Sequence, residues 1–299
     1  MVSAPNASEE KNKTERGVIY LVATPIGNLA DLSDRAKKVL SEVDFVAAED
    51  TRNTAKLLSC FGIRKELISY YEHNKRERGE IIVSRVLLGE SVALVTDAGM
   101  PAISDPGEDL VRLAAERGVR VLIVPGCCAA VSALALSGLV TGRFAFEGFL
   151  SMNKRERRER LAEIKNERRT MIFYEAPHKL RATLRDLADV FGSDRRLSLC
   201  RELTKLNEET VRTTVGEAID YYSTHEPRGE YVLVLMGLTE YEAISGARTD
   251  ASPLTELDLD DHVAYYEKLG LSRMDAIKAA AKDRGISKSA LYKLLCEEK

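Results

Sequence analysis

The sequence predicts an α/β protein of two α/β domains followed by a small helical segment. Three observations predict it. From Gly17 onward, apolar runs of strand length alternate with amphipathic runs of helix length, five times over. After about Phe144 the strand and helix signals continue but lose that regular alternation. From Leu257 the pattern is helical only, with two short repeats of Gly-aliphatic-Ser.

The elements follow in order. "GVIYLVATP" (Gly17 to Pro25) is a β-branched apolar run that ends in a turn, the signature of a buried strand. "LSDRAKKVLSEV" has helical spacing, with Ser33 or Asp31 as its cap. "DFVAAED" is a second strand, and "TAKLLSCFG" a helix that stops at Gly62. "LISYYEHN" reads as a third strand and "RGEIIVSRVLLGE" as an amphipathic helix. "SVALVTD" is a fourth strand, "GEDLVRLAAERG" a helix stopped by Gly118, and "VRVLIVPG" a fifth strand. "CAAVSALALSG" is a helix of small residues. Strand-helix alternation of this kind builds a largely parallel sheet, with ligands taken in the crevice outside the strands' carboxyl ends.

The domain expectations are a disordered tail over 1–16, a first α/β domain over 17–149, and a second α+β domain over 150–238. A linker over 239–256 and a helix-turn-helix-like segment over 257–299 complete the chain. In the second domain the Thr- and Val-rich "ETVRTTV" points to antiparallel pairing.

The 299 residues fit about two domains. A content of 44% apolar and 30% charged residues is ordinary for a globular chain. Nothing reads as a signal peptide or membrane span. Five scattered cysteines, without CxxC or paired histidines, indicate neither a disulfide framework nor a metal site. The expectation is a cytoplasmic protein with reduced thiols. A net charge of −3 confines any nucleic-acid contact to local patches.

Three strand exits hold candidate ligand loops. "ATPIGN" offers Pro25, Gly27 and a helix start, without the spacing of a dinucleotide or phosphate loop. "TDAGMPAISDPG" places Asp97 at a strand end, bares its backbone at Ala98 and Gly99, and closes with Asp105, which suits a helix cap. "VPGCCAA" lets a helix start come close to a ligand. Three such loops at one sheet edge suit a flat nucleoside-like ligand.

The stretches "LVATPIGNLADLSDRA", "AEDTRNTAKLL", "VTDAGMPAISDPG", "VPGCCAA", "FYEAPHKL", "RELTKLNEE" and "GEYVLVL" resemble the motif series of the tetrapyrrole-methylase superfamily. They resemble most closely its branch acting on ribosomal RNA. Met100 and Cys127 depart from the family's usual Thr and Pro. The resemblance implies two α/β domains with a cofactor cleft between them and S-adenosylmethionine as methyl donor. The implied acceptor is the ribose 2′-hydroxyl of a cytidine in small-subunit (16S) ribosomal RNA, free or in the 30S subunit, and a homodimer is implied too. Carried over residue by residue, Pro25, Asp97, Gly99, Ile103, Ser104, Cys128 and Ala129 would line the cofactor site. Tyr174, Gly229, Glu230, Tyr231 and Val232 would do so from the second domain.

Positioning is worth on the order of 7–11 kcal/mol in such transfers, and a base adds roughly 10²- to 10⁴-fold. Asp50, His73 and Glu175, with His178, are the candidate bases, none singled out. Asp50 equally suits a helix cap or a pair with Arg52. Arg52, Asn74, Lys75 and Arg76 stand near strand exits. Arg155, Arg157 and Arg158 lie in the basic run "NKRERRERL". These seven are the RNA-binding candidates, although a charge run also suits a solvated helix face. Two rival functions stay open: a methylase of a small tetrapyrrole, and a non-catalytic RNA-binding ribosome-assembly factor.

Overall fold

Five short runs form the first sheet in the computed structural model, which describes residues 13–245, 257–284 and 286–297. They are β1 (Val18–Val22), β2 (Phe45–Ala48), β3 (Glu66–Ser69), β4 (Val92–Val95) and β5 (Arg120–Val124). Their order is β3-β2-β4-β1-β5, and every pairing is parallel. Helices α1 (Asp34–Glu42), α2 (Thr51–Cys60), α3 (Lys75–Leu87) and α4 (Gly107–Glu116) connect them. Successive strand residues point to opposite faces. Val18, Tyr20 and Val22 therefore pack with Val39 and Leu40 of α1 and Leu58 of α2. Ile19 joins Ile82 and Val86 of α3 and Leu110 of α4 on the other face. Ser33, of the two expected caps, accepts from the Ala36 N–H at 3.1 Å.

The chain then crosses to a second sheet. Helix α5 (Ala129–Ser137) ends at Gly138, which takes the left-handed conformation at φ 74°. Its Ala130, Ala133 and Leu134 pack against Ile172, Cys200, Val232 and Val234 of strands in that second sheet. The sheet comprises β6 (Phe144–Phe149), β7 (Thr170–Glu175), β8 (Arg196–Arg201), β9 (Glu209–Thr214) and β10 (Tyr231–Leu235), in the order β6-β7-β10-β8-β9. β10 runs antiparallel to β7 and β8, and β8 to β9, as "ETVRTTV" indicates. Helices α6 (Lys154–Glu163), α7 (Pro177–Phe191) and α8 (Val215–Thr224) cover its other face around Leu161, Phe173, Leu180, Leu184 and Leu233.

These facts bear on three expected boundaries. β6 belongs to the second sheet, and α5 packs on it, so a division at 149/150 falls too late. Small residues on α5 allow the close approach that draws it across. The expected tail over 1–16 lies outside the described residues as far as residue 12. Beyond that it is anchored: Glu15 donates its N–H to the Tyr20 hydroxyl at 2.7 Å, and its carboxylate meets Arg120 at 2.5 Å. The expected linker begins instead as a helix, α9 (Leu238–Ser245), and residues 246–256 lie outside the described residues.

The C-terminal unit carries α10 (Leu259–Lys268), α11 (Arg273–Asp283) and α12 (Lys288–Glu297) around Val263, Ile277, Ala280 and Leu291. The two predicted serine caps are present. Ser272 accepts from the Asp275 N–H at 3.3 Å and Ser287 from the Ala290 N–H at 3.1 Å. Among the described residues no helix is long and apolar enough to cross a membrane.

Candidate active site

Parallel strands leave their carboxyl-end loops on one rim, and here those loops tie to each other. Thr24, after β1, and Gly99, after β4, exchange both backbone hydrogen bonds, at 2.9 and 3.1 Å. The Thr24 hydroxyl also donates to the Thr96 carbonyl at 3.2 Å. Gly99 sits at φ 85°, and a Cβ there would touch Ile26 Cγ2 at 3.3 Å and the Cys127 carbonyl at 3.6 Å. The loops after β1, β4 and β5 therefore converge on one glycine. Ala102 and Ser104 follow with φ of 67° and 65°, which side-chain-bearing residues rarely adopt. The Asp105 carboxylate holds that turn, accepting from the N–H groups of Ala102 (3.0 Å), Ile103 (3.1 Å) and Gly107 (2.7 Å).

These loops and the facing ends of β7, β8 and β10 wall a cleft of about 560 Å³, a size that suits a small organic ligand. Of the residues carried over to a cofactor site, Asp97, Gly99, Ile103, Ser104, Cys128 and Ala129 line it from the first sheet's side. Tyr174, Glu230, Tyr231 and Val232 line it from the second. Pro25 instead lines an adjoining hollow of about 200 Å³ that shares Thr96 and Asp97. Gly229 stands behind the wall at φ 76°, where a Cβ would lie 2.4 Å from Glu202 Cγ.

Asp97 accepts from the Asn53 side-chain amide at 3.1 Å. Next to it, partial burial pushes the Glu49 carboxyl above its ordinary pKa, with Asp97, Asp105 and Asp50 adding repulsion in the same direction. A raised carboxyl pKa means that the folded state binds more proton than the unfolded one. Stability is then lost as pH rises from the usual glutamate range through the raised value. Glu49→Gln is expected to raise Tm at pH 7 and to leave it unchanged near pH 4. Melts showing an equal gain at both pH values would refute the charge argument.

The Tyr174 hydroxyl accepts from the Ala130 N–H at 3.2 Å, taking one free donor at the start of α5. Burial pushes its pKa up to about 12. Its ring meets Phe146 and Phe149 with centroids 5.1 and 5.3 Å apart. Phe149 and Tyr174 thus add aromatic surface to a cleft lined also by carboxylates, small residues and aliphatic side chains. That donor set fits a cationic nucleoside: carboxylates and aromatic faces for a positive centre, small residues for close approach.

The candidate bases are not brought together. Asp50 caps α2, accepts from the Arg52 N–H at 2.8 Å and pairs with its guanidinium at 2.7 Å, which holds the carboxyl down at about 2. His73 is exposed on the turn before α3, and His178 is exposed in the first turn of α7. Neither lines the cleft. Glu175 does, but both its oxygens are engaged, by the Ala176 N–H at 2.9 Å and by the buried Thr183 hydroxyl.

Several RNA candidates serve the fold instead. Asn74 closes a turn, accepting from the Tyr71 N–H at 2.8 Å and donating to the Ser69 carbonyl at 3.1 Å. Lys75 is held by Glu72 and Asp109 at 2.7 and 2.6 Å. With Arg76 it lines a separate polar hollow of about 340 Å³. Arg157 corrects the expected basic face. It stands one and two turns before the buried Leu161 and Ile164 and pairs with Asp186 of α7 at 2.6 Å, side chains 15% and 13% exposed. Arg155 is exposed and pairs only with Glu159, one turn on, while Arg158 has no acidic partner among the described residues.

Sequence reasoning missed Ile26, Glu49, Thr96, Met100, Phe149, Cys200, Glu202, Leu203 and Lys205, which also line the cleft. The strand-exit rule that found Asp97 applies equally to Glu49, directly after β2, and to Glu202, directly after β8.

Comparison with known proteins identifies the kin of this cleft. Residues 18–219 match the family described as Tetrapyrrole (Corrin/Porphyrin) Methylases. Ribosomal RNA small subunit methyltransferase I of Halalkalibacterium halodurans is 43% identical over 290 residues, 96% of this chain and 98% of its own length. The proteins of that name from Bacillus subtilis (42%, 94% of each chain) and Pseudomonas aeruginosa (45%, 92% of this chain and 95% of its own) match similarly. Among solved structures, diphthine synthase superposes at TM-score 0.56 with 15% identity, covering 77% of this chain and 95% of its own. A Thermus thermophilus uroporphyrin-III C-methyltransferase complexed with S-adenyl homocysteine does so at 0.51 with 17% identity, covering 75% and 98%. At those identities the structures speak for the fold alone. The chain therefore belongs to the tetrapyrrole methylase family and, within it, to the ribosomal RNA small subunit methyltransferase I group.

Proposed function

We propose that this protein is an S-adenosylmethionine-dependent methyltransferase that 2′-O-methylates the ribose of a cytidine in 16S ribosomal RNA. The observation that carries the reading is identity above 40% along nearly the whole length of ribosomal RNA methyltransferases. The cleft supports it chemically. S-Adenosylmethionine, when bound, supplies an electrophilic methyl group on a sulfonium cation. Asp97 and Glu49 offer that cation negative charge. Gly99, Ala98 and Ala129 admit a nucleoside close to the backbone, and Tyr174 and Phe149 shield it from water.

The acceptor hydroxyl is neutral and must lose its proton as the bond forms. Asp50 and Glu175 are tied to donors of the chain itself, so the reading places the weight of catalysis on alignment rather than on a dedicated base. Alignment is the larger contribution in any case, on the order of 7–11 kcal/mol.

RNA is reached through local cations on an otherwise acidic chain. Lys154, Arg155 and Arg158 lie exposed on α6. Neutralising all three is expected to weaken RNA binding and to flatten its log–log salt dependence by roughly two to three, while sparing S-adenosylmethionine. An unaltered slope would return this face to plain solvation. We also propose a cytoplasmic homodimer. Exposed Val131 and Leu136 on α5, Val140 after it, and Val211 on β9 offer apolar surface for it, which sedimentation tests.

The deciding experiment supplies labelled S-adenosylmethionine and small ribosomal subunits, then maps the modified ribose by mass. Label in a cytidine 2′-oxygen supports the reading. Label only in an added porphyrinoid returns a tetrapyrrole methylase, and RNA binding without label returns an assembly factor.

A further inference from the structure

Six acidic residues, Glu49, Asp97, Asp105, Glu175, Glu202 and Glu230, line the cleft, and among the described residues a single cationic one, Lys205, joins them. That surplus of negative charge suits a sulfonium donor. It opposes an RNA chain, whose phosphodiesters must pass close to any ribose being modified. Resting on the RNA methyltransferase reading, we propose that Lys205 is the acceptor-binding residue: its ammonium takes a phosphodiester oxygen beside the target ribose.

The local structure is built around this side chain. The Lys205 ammonium lies 2.9 Å from Glu202 Oε1 and 2.9 Å from Glu230 Oε2. Glu202 also accepts from the Glu230 N–H at 3.0 Å, so two strand ends are clasped through one carboxylate. Glu202 and Thr204 hold φ of 51° and 66°, a backbone region that costs side-chain-bearing residues energy. Such outliers persist where the surrounding structure over-determines them, commonly at ligand sites. Two glycines make the room. A Cβ at Gly27 would stand 2.3 Å from Lys205 Cγ, and one at Gly229 would stand 2.4 Å from Glu202 Cγ.

The two partners differ in a way that allows exchange. Glu202 is largely enclosed, whereas the Glu230 side chain is 81% exposed. An exposed ion pair contributes little and re-forms with water at small cost. The ammonium can therefore leave Glu230 for a phosphate while Glu202 keeps it in place. Partial burial works to lower the Lys205 pKa, but Glu202 and Glu230 outweigh it and hold it above the usual lysine value, so the charge persists. The Lys205 side chain is 32% exposed and that of Glu230 81%, so the pair stands at the open side of the cleft rather than on its floor.

The test uses the full chain with small ribosomal subunits as acceptor. Lys205→Met is expected to raise KM for the subunit roughly ten- to a hundredfold, and to reduce the salt slope of RNA binding by about one. The donor's Kd, by calorimetry, stays within about twofold. Lys205→Arg keeps most of the RNA affinity, and Glu230→Gln, which frees the ammonium, lowers KM. If Lys205→Met instead weakens the donor and spares the RNA, the ammonium serves the donor's carboxylate and the proposal falls. It falls equally if only Tm drops, because the pair is then a structural clasp. Filter binding to RNA reads the contact even without turnover, so absence of methyl transfer by the unaltered protein would count against the function and not against this contact.

Discussion

Asp97→Ala is expected to weaken binding of S-adenosylmethionine roughly ten- to a hundredfold and to leave RNA affinity near that of the unaltered protein. The magnitude follows from a hydrogen bond or close contact between charged groups, worth about 1.5–3 kcal/mol, at about 1.4 kcal/mol per tenfold. Asp97 is placed for this by the end of β4, steadied by the Asn53 amide at 3.1 Å, and borders both the main cleft and the hollow beside Pro25. Asp97→Asn keeps the shape and the bond to Asn53 while removing the charge. It should lose nearly as much affinity as the alanine variant if charge is what the donor meets. Calorimetry that finds donor affinity unchanged in both variants makes Asp97 a loop-holding residue and removes it from the site.

Gly99→Ala carries the second large effect, and it acts through the backbone. At φ 85° a Cβ costs on the order of 1–2 kcal/mol. That corresponds to about 2–8 °C in Tm for a unit of this size. The added methyl also presses on Ile26 and the Cys127 carbonyl, where the loops after β1 and β5 reach the loop after β4. Relieving that pressure means parting Thr24 from Gly99, the bridge that sets the rim. Donor affinity should therefore fall along with stability, about tenfold or more for a loss of one backbone register. An alanine variant with unchanged Tm and donor affinity would show that the rim does not depend on this glycine. The bare-backbone account of the site would go with it.

Much of the site can be read from strand exits, because a parallel sheet brings its carboxyl ends to one edge whatever its loops contain. That rule reached Asp97, Gly99, Cys128 and Ala129. At "AEDTR" the candidate base is Asp50, with a helix cap as its alternative, and the structure uses it as the cap. Glu49, one residue earlier, is the one that faces the cleft. Charge type told little about charge use. Arg155, Arg157 and Arg158 are neighbours in one run, yet helical phase turns Arg157 inward onto Asp186 and leaves the others outside. Lys205 sits in "RELTKLNEE", a stretch that carries the family resemblance but gives no sign of this side chain's use. Its meaning depends on Gly27, far off in the chain, making room for it.

The order of residues along this chain was enough to specify the parallel first sheet, antiparallel pairing at "ETVRTTV" in the second, the capped C-terminal helices and the kinship with methylases. Each of these follows from local periodicity, turn chemistry or an unbroken motif series. Which carboxylates share a cleft, which arginine is spent on packing, and that α5 leaves its own sheet to cover the other were settled by the folded arrangement. Those outcomes hinge on contacts between segments tens to hundreds of residues apart, whose distances no local pattern encodes.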